Sequence, residues 1–330
     1  MKIAALLPHV EIYGGVRRYL EIGNALARRG HRFVLHHPTG EKPGWLEFLG
    51  ETKTFSGLGE ESFDIGLCSE YSILPQFDRL NSRAKFFYFV LEGHKKEKET
   101  AQREFHFLGN SEGICRRIER RYGVSCLRAP GGVNPEIFHP LERGEKRSPG
   151  EFRVLSYGRI YKRRKGILHV IRAAERLGGR YPGLRLIFFD SRVGGNRLDP
   201  RSLIRTRIPC DFFLDLPQSR MSWLFSQADV FVSSERRAGW ANTAAEAMAC
   251  RVPVVCTPSG TRDFAFPGRT ALVVPFPSAY LLSRRIDRLI KDPELCHRLA
   301  QAGYEKIREF TWEALAVRLE AFFREKLRNR

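Results

Sequence analysis

Short apolar runs alternate with amphipathic segments along the chain. Residues 2–7 (KIAALL) form a continuous apolar run that Pro8 ends, and apolar positions then recur at helical spacing from about Val16 to Arg29. A second apolar run, 31–36, follows Gly30, and glycine commonly closes a helix. A strand, a helix and a second strand in this order predict an α/β protein built on parallel sheets.

The same alternation continues to the C-terminus. The pattern predicts one short helical piece at Trp45–Leu49 within a loop-like stretch from 38 to 62, and a mobile, solvated segment at Lys95–Arg103, where lysines mix with acidic residues. Further strands are predicted at 63–68, 85–91, 105–108, 152–157, 184–190, 211–215, 230–232, 253–255 and 271–275, with helices at 110–122, 167–177, 219–228, from 242 or 243, and after 275.

The stretch 229–257 (DVFVSSERRAGWANTAAEAMACRVPVVCT) is the most informative part of the chain, because it predicts a strand, a glycine turn, a helix and a second strand. Thr243 and Glu246 have the spacing of a capping box, in which each side chain bonds an amide at the helix start. Gly239 allows the backbone to approach a ligand closely, and the first amides of the helix, near Asn242, favour an anion.

This stretch resembles the donor-site segment of family 4 glycosyltransferases. Gly239, Trp240, the run 246–250 (EAMAC) and the run 253–255 (PVV) fall in register with the pattern of that family. Two further motifs of the family occur in order, namely 129–140 (APGGVNPEIFHP) and 158–166 (GRIYKRRKG).

The resemblance implies the α/β fold called GT-B, with two Rossmann-like domains facing across a cleft. Residues 1–146 would form the N-terminal acceptor domain and residues 151–312 the C-terminal donor domain. A helix at about 313–330 would return to the first domain. The polar segment Glu142–Gly150 (ERGEKRSPG) is the predicted linker.

The resemblance also implies roles for residues that bind the donor. Glu246 would hold the ribose hydroxyls of a nucleotide-sugar, while Asn242 and Thr243 would lie at its phosphate. Arg159 and Lys165 would clamp the donor diphosphate, because fixed cations stabilise the charge that develops on such a leaving group. Alone, each motif has an ordinary explanation: Glu246 could simply cap a helix, and the run 158–166 could be a basic turn.

In the N-terminal half, Gly14 and Gly15 lie in the predicted loop before the first helix, where the family brings the backbone close to the donor. His94 follows the strand predicted at 85–91, at the place where the family has a histidine between donor and acceptor. His94 is therefore the candidate catalytic residue, and His106 is the alternative.

The chain departs from the family pattern at three positions. Ala238 replaces the first glutamate of the donor motif, Ala241 replaces a glycine, and Arg251 replaces the glycine after the cysteine. Ala238 removes the usual contact to the transferred sugar, and Glu235, three residues earlier, would substitute for it only in a rearranged loop.

The predicted reaction is transfer of a glycosyl unit from a nucleotide-sugar to an acceptor hydroxyl, an activity of class EC 2.4. Family members retain the anomeric configuration. The chain has no D-x-D triad, so we expect no metal and no cofactor beyond the nucleotide-sugar substrate. The expected acceptor is a glycan or a lipid-linked glycan, as in polysaccharide biosynthesis.

The amino-acid composition indicates which partners the charge of the protein suits and in which cellular compartment the protein is expected. The formal net charge is +19, and it is concentrated in the second half of the chain. Such an excess suits a diphosphate, and it also suits an anionic membrane surface or nucleic acid. The seven cysteines are widely spaced, with no C-x-x-C, which indicates reduced thiols in a cytoplasmic protein that lies free or peripherally at the inner membrane face. The arginines at 116, 117, 120 and 121 are expected to form a solvated face.

Two alternative functions are also compatible with parts of the sequence. A degenerate GT-B protein would bind nucleotide without transferring sugar. A basic nucleic-acid-binding protein would explain the net charge, but the sequence contains no recognised nucleic-acid module, so this hypothesis ranks last.

Overall fold

The computed structural model describes residues 1–142, 148–192 and 199–328. The chain divides into two compact units: unit 1 comprises Met1–Gly132 with Phe310–Arg330, and unit 2 comprises Val133–Glu309. Each unit is built on a parallel sheet with helices packed against it, which confirms the predicted α/β class.

Unit 1 contains a seven-stranded sheet in the order β3-β2-β1-β4-β5-β6-β7, and every pairing in it is parallel. The strands are β1 (Lys2–Leu6), β2 (Arg32–His36), β3 (Glu51–Lys53), β4 (Phe63–Cys68), β5 (Ser82–Phe89), β6 (His106–Gly109) and β7 (Cys126–Arg128). β1 is an interior strand of this sheet, and its residues 3–6 are fully buried, which explains their continuous apolar run.

Four α-helices lie between these strands in the chain, namely α1 (Gly14–Arg28), α2 (Leu74–Arg79), α3 (Glu97–Ala101) and α4 (Glu112–Tyr122). α1 begins two residues earlier than predicted, so Gly14 and Gly15 form its first turn and do not lie in a loop. The reason is a backbone bond from Arg17 N to Tyr13 O at 2.9 Å, which closes the first helical turn ahead of Val16.

Two local predictions in unit 1 are wrong. The helical piece at Trp45–Leu49 does not form, because Asn24 bonds the backbone there through Nδ2 to Glu47 O and through Oδ1 to Leu49 N, both at 2.8 Å. The segment Lys95–Arg103, expected to be solvated, contains α3 and buries the Glu97 carboxylate to 1% exposure.

Unit 2 contains a six-stranded parallel sheet in the order β10-β9-β8-β11-β12-β13. Its strands are β8 (Phe152–Tyr157), β9 (Leu184–Asp190), β10 (Cys210–Leu214), β11 (Val230–Ser233), β12 (Val254–Cys256) and β13 (Leu272–Val273). Its helices are α5 (Ile167–Gly178), α6 (Met221–Ser226), α7 (Asn242–Ala249), α8 (Ala279–Lys291) and α9 (Pro293–Ile307).

The division between the units falls between Gly132 and Val133, earlier than the predicted linker at Glu142–Gly150. The residues after Gly132 pack onto α6: Phe138 contacts Phe225 at a ring separation of 6.1 Å, and His139 N donates to Ser222 Oγ at 2.9 Å. Residues 143–147, the middle of that linker, lie outside the described residues.

The last helix, α10 (Trp312–Arg328), belongs to unit 1. Its apolar face, including Trp312, Leu319 and Phe323, joins the core formed by α1 and β1. Within residues 1–142, 148–192 and 199–328, no helix combines the length and the apolar character that crossing a membrane requires.

Each sheet has one point at which the strand order reverses. In unit 1 it lies between β1 and β4, and in unit 2 between β8 and β11. At such a point the loops that follow the two strands leave on opposite sides and open a crevice at the carboxyl edge, where open α/β sheets bind ligands. The loops 158–166 and 234–241 therefore define the candidate ligand site of unit 2.

Candidate functional site

Arg159 lies in the loop that follows β8 and is held by a buried ion pair. Its Nε and Nη2 donate to Asp190 Oδ1 at 3.0 and 2.7 Å, and Nη2 also donates to Ser191 O at 3.2 Å. Arg159 is 5% exposed and Asp190, the last residue of β9, is 3% exposed. The guanidinium is thus fixed in orientation by a carboxylate that sequence analysis did not select.

Gly158, the residue before Arg159, has a steric role. A Cβ added there would meet the Phe212 ring at 2.6 Å and Phe189 O at 3.2 Å, so any larger residue would force the ring or the loop to shift. At the end of β8, the backbone of Gly158 therefore lies close to its neighbours, and the next residue, Arg159, presents a guanidinium whose orientation is fixed by Asp190.

Lys165, at the other end of the same loop, pairs with Glu235 in the loop after β11. Its Nζ lies 2.8 Å from both carboxylate oxygens, and Glu235 is 6% exposed. Gly166 has φ +68°, and a Cβ there would lie 2.0 Å from Ser234 O. The two loops that border the crevice are therefore in direct contact.

The start of α7 corrects the predicted capping box. The N-cap residue is Ala241, no side chain caps the helix, and Asn242 is the first helical residue. Thr243 thus lies two residues after the N-cap position and cannot cap the helix, so Glu246 does not act as the partner of a capping threonine. Glu246 is 8% exposed. The structure therefore does not support the explanation that Glu246 simply caps the helix.

Two hydroxyl groups at this edge are buried without a partner. Ser234 Oγ and Thr243 Oγ1 make no hydrogen bond to any described residue of the chain. A buried hydroxyl without a partner is costly, and such groups commonly mark the place of a polar ligand or a water molecule. Ser234 is the first residue of the loop 234–241, and Thr243 lies in the first turn of α7, directly after that loop.

That loop carries the remaining donor candidates. Trp240 is 7% exposed and packs against Phe264 at a ring separation of 4.8 Å, and Gly239 is buried beside it. Ala238 N donates to Ser259 Oγ at 2.8 Å. Arg237 has φ +58°, a conformation that costs a non-glycine residue about 1–2 kcal/mol. Strained backbone of this kind is concentrated at functional sites.

In unit 1, His94 follows β5 and is held from two sides. Its ring stacks on Tyr71 at a centroid distance of 3.9 Å and an interplanar angle of 6°. Lys96 N donates to Nδ1 at 3.2 Å, so in the neutral ring the proton is on Nε2. Burial, followed by the charge of Lys95, lowers the pKa of His94 below its usual 6.5. His94 is therefore a neutral hydrogen-bond donor near pH 7.

The alternative histidine, His106, is in the wrong place for this role. It is the first residue of β6 and contacts the Phe86 ring at 5.0 Å, so it lies at the amino end of its strand. Gly14 and Gly15, in contrast, follow β1 at the carboxyl edge, and a Cβ on Gly15 would meet no atom within 4 Å. The backbone there is open to a ligand.

The structure thus brings the sequence candidates to the carboxyl edge of the sheet within each unit. Arg159, Lys165 and the start of α7 surround the β8/β11 reversal in unit 2. Sequence analysis missed Asp190 and Ser234, although a polar residue at or directly after the carboxyl end of a buried apolar strand is a sign that could have identified both.

Solved structures confirm the GT-B fold. The chain is similar to sucrose-phosphate synthase from Thermosynechococcus elongatus, with a TM-score of 0.83 and 18% identity over 100% of both chains. It is also similar to HepE from Anabaena in complex with UDP and glucose, with a TM-score of 0.75 and 16% identity over 98% of this chain and 99% of that one. At these identities the likeness concerns the fold alone.

Curated relatives have higher sequence identity. D-inositol 3-phosphate glycosyltransferase of Pseudarthrobacter chlorophenolicus is 29% identical over 77% of this chain and 66% of its own length. The same enzyme of Arthrobacter sp. is 30% identical over 59% of this chain and 49% of its own. The capsular polysaccharide biosynthesis glycosyltransferase CapM of Staphylococcus aureus is 25% identical over 75% of this chain and 69% of its own.

The chain therefore spans between about half and two thirds of the length of the first two of these relatives. A family model, described as glycosyl transferases group 1, matches residues 140–306, which contain both loops of the β8/β11 crevice and the whole of α7. The matched segment is more than half of the chain, and on this ground the protein belongs to the glycosyl transferases group 1 family.

Proposed function

We propose that this protein transfers a glycosyl unit from a nucleotide-sugar to an acceptor hydroxyl, with release of the nucleoside diphosphate. The observation that carries the proposal is the set of groups around the β8/β11 reversal: two oriented cations, Arg159 and Lys165, a buried carboxylate, Glu246, and the unpartnered hydroxyl of Thr243. A nucleoside diphosphate offers phosphate oxygens to the cations and ribose hydroxyls to the carboxylate.

The proposed chemistry needs no metal and no cofactor. As the bond from the sugar to the diphosphate breaks, negative charge develops on the leaving oxygen, and Lys165, Arg159 and the first amides of α7 stabilise it. His94 contributes a neutral Nε2–H that donates to the donor sugar. We further propose that the anomeric configuration is retained, as the family resemblance implies.

The finer identity of the substrates is also a proposal. Relatives named as inositol 3-phosphate and capsular polysaccharide glycosyltransferases support a glycan or lipid-linked acceptor. Solved neighbours with bound UDP or UDP-glucose support a nucleotide-sugar donor. A position at the inner membrane face is supported by the +19 charge, whereas the exposed Arg116, Arg120 and Arg121 of α4 fit the solvated face expected from the sequence.

The second candidate is a protein that binds nucleotide without transferring sugar. Two observations favour it: Ala238 stands where the family has a sugar-binding glutamate, and both Arg159 and Lys165 already have carboxylate partners. Under this alternative, nucleoside diphosphates would bind but donor sugars would not be turned over.

An assay of nucleoside diphosphate release distinguishes sugar transfer from nucleotide binding without transfer. The assay uses a panel of UDP-, GDP- and ADP-sugars, with and without glycan acceptors. Transfer predicts release with at least one donor. His94→Ala should lower kcat by roughly 10²-fold, as expected for loss of one oriented donor at the reacting centre. His297→Ala, an exposed histidine of α9, is the matched control and should not change kcat. Binding of a nucleoside diphosphate without release from any donor would favour the second candidate.

A further inference from the structure

Glu97, in the first turn of α3, is the most deeply buried carboxylate of unit 1 that the donor site does not use. Its side chain is 1% exposed. Arg117 Nη1 donates to Oε2 at 2.5 Å, Tyr122 OH donates to the same oxygen at 2.9 Å, and Gly93 N donates to Oε1 at 3.1 Å. Burying a charge is costly unless it is paired and fully hydrogen-bonded, and these donors satisfy that condition.

The bonds of Glu97 close a small ring around His94. The carboxylate binds Gly93 N on one side of the histidine, and Glu97 N donates to His94 O at 3.1 Å on the other. Gly93 has φ +73°, so the loop turns sharply directly before the imidazole. Glu97 thus anchors Gly93 N through its carboxylate and His94 O through its backbone N–H.

The same ring fixes the imidazole itself. Because Glu97 N holds His94 O, the backbone between them is compact enough for Lys96 N to reach His94 Nδ1 at 3.2 Å. That bond selects the tautomer with the proton on Nε2, while Tyr71 covers one face of the ring. Arg117 and Tyr122 connect this arrangement to α4.

We propose that Glu97 is a positioning residue for His94: its carboxylate, held by Arg117 and Tyr122 of α4, fixes Gly93 N and with it the orientation of the loop that carries the imidazole. The consequence for sugar transfer rests on the proposed function, whereas the effect on the His94 ring does not. Catalytic groups must be held within a fraction of an ångström by residues that support them, and Glu97 supplies that support here.

A purely structural role makes a different prediction. The Glu97–Arg117 pair joins α3 to α4, and loss of a buried partner destabilises a fold whatever else it does. If that were its whole role, a substitution would lower the melting temperature without changing the environment of His94. The signals of the His94 ring in the ligand-free protein therefore separate the two roles.

The test compares Glu97→Gln with Glu99→Gln, a matched control on the same helix. Glu99 is an exposed carboxylate whose partner, Arg103, lies 3.6 Å away. The NMR signals of the His94 ring protons are assigned with His94→Ala, and Tyr71→Leu gives their position without the stacked ring. We expect Glu97→Gln to move them toward the Tyr71→Leu position, whereas Glu99→Gln leaves them in place.

In the donor assay, Glu97→Gln should lower kcat by about 10-fold or more, since small misplacements of catalytic groups have effects of this size. KM for the donor should change less than about twofold, because the cations proposed to bind the diphosphate, Arg159 and Lys165, belong to unit 2, whereas Glu97 belongs to unit 1. Tyr122→Phe removes a single bond to Glu97 Oε2 and should give smaller changes in the same direction. Tyr122→Phe therefore tests the proposal if Glu97→Gln does not fold.

Unchanged His94 signals in a folded Glu97→Gln or Tyr122→Phe protein overturn the proposal, whatever the turnover. Displaced signals together with a lower kcat support it. If no donor is turned over by the wild type, the proposed function fails, but the NMR comparison still decides whether Glu97 positions His94.

Discussion

Lys165 Nζ donates to both carboxylate oxygens of Glu235, at 2.8 Å each, across the two loops that border the β8/β11 crevice. The cation that sequence analysis assigned to the donor diphosphate is therefore already neutralised by a buried carboxylate. A diphosphate that reaches Lys165 has to compete with Glu235, and the carboxylate then lies next to an incoming negative charge. Glu235 should accordingly weaken the binding of nucleoside diphosphates.

Glu235→Gln should raise the affinity for nucleoside diphosphates by roughly 10-fold or more, because a hydrogen bond to a charged group contributes about 1.5–3 kcal/mol. Isothermal titration of the same diphosphate into both proteins measures the change. Glu151→Gln is the control, because it also removes a carboxylate from an ion pair, here with Arg153, but lies at the amino end of β8. A lower affinity in Glu235→Gln would mean that the carboxylate holds Lys165 in place for the ligand.

Thr243→Val tests whether the unpartnered hydroxyl of α7 serves a ligand. Valine has nearly the same shape, and Thr243 Oγ1 makes no hydrogen bond to the described residues of the chain, so the melting temperature should stay the same or rise. Affinity for a nucleoside diphosphate should fall by about 2- to 10-fold, as expected for one neutral hydrogen bond.

Thr261→Val provides the contrast to Thr243→Val. Thr261 Oγ1 donates to Thr257 O at 2.7 Å, so its removal should cost about 1–3 kcal/mol of unfolding free energy. A loss of stability in Thr243→Val with no change in affinity would show that the hydroxyl serves the fold.

Gly166→Ala should be strongly destabilising, because the new Cβ would lie 2.0 Å from Ser234 O, a backbone atom that has no room to move without displacing β11. Gly123→Ala separates this clash from backbone strain. Gly123 has a similar φ of +71°, but a Cβ there meets nothing within 4 Å, so only about 1–2 kcal/mol is expected. Equal losses of unfolding free energy in urea would refute the close contact between the two loops.

Acid should destabilise unit 1 through buried histidines. Burial lowers the pKa of His36 below 6.5, while its Nδ1 donates to Thr54 O at 2.8 Å. The unfolded chain therefore binds a proton that the folded chain rejects, so this contribution to stability is complete above about pH 6.5 and is lost as the pH falls through and below that value.

The replacement His36→Asn keeps a side-chain N–H for Thr54 O but does not titrate, so its unfolding free energy should fall less than that of the wild type between about pH 7.5 and about pH 5.5. His297→Ala, at an exposed site, should follow the wild type. Parallel pH dependences of all three proteins would contradict the lowered pKa of His36.

The strands and the order of the motifs were predictable from the sequence, because buried parallel strands require continuous apolar runs and a loop that approaches a neighbour requires glycine. Gly158 and Gly166 show this directly: both were selected from the motif, and both leave no room for a Cβ. The residues at the ends of β8 and β11 follow from the same reasoning, since the carboxyl ends of neighbouring parallel strands share one edge.

The partners of the selected residues could not be predicted. Lys165 and Glu235 are separated by 70 positions, and their contact depends on β8 and β11 being neighbours in the sheet. Glu97 was missed for a related reason. Its surroundings in sequence are lysine-rich and indicate solvent, whereas Arg117 and Tyr122, which justify its burial, come from α4. The predicted capping box at Thr243 is wrong because the helix begins two residues earlier than that motif requires.

We propose that Lys165, at the β8/β11 edge, binds a nucleoside diphosphate. Isothermal titration of UDP, GDP and ADP tests this proposal most directly. Two double variants are compared: Lys165→Met with Glu235→Gln, which removes both charges of the pair together, and Lys162→Met with Glu235→Gln, in which an exposed lysine of the same loop is lost. We predict that at least one diphosphate binds and that the first variant loses about 10-fold or more in affinity relative to the second. Equal affinities of the two variants, or no binding of any diphosphate to the wild type, would contradict the account.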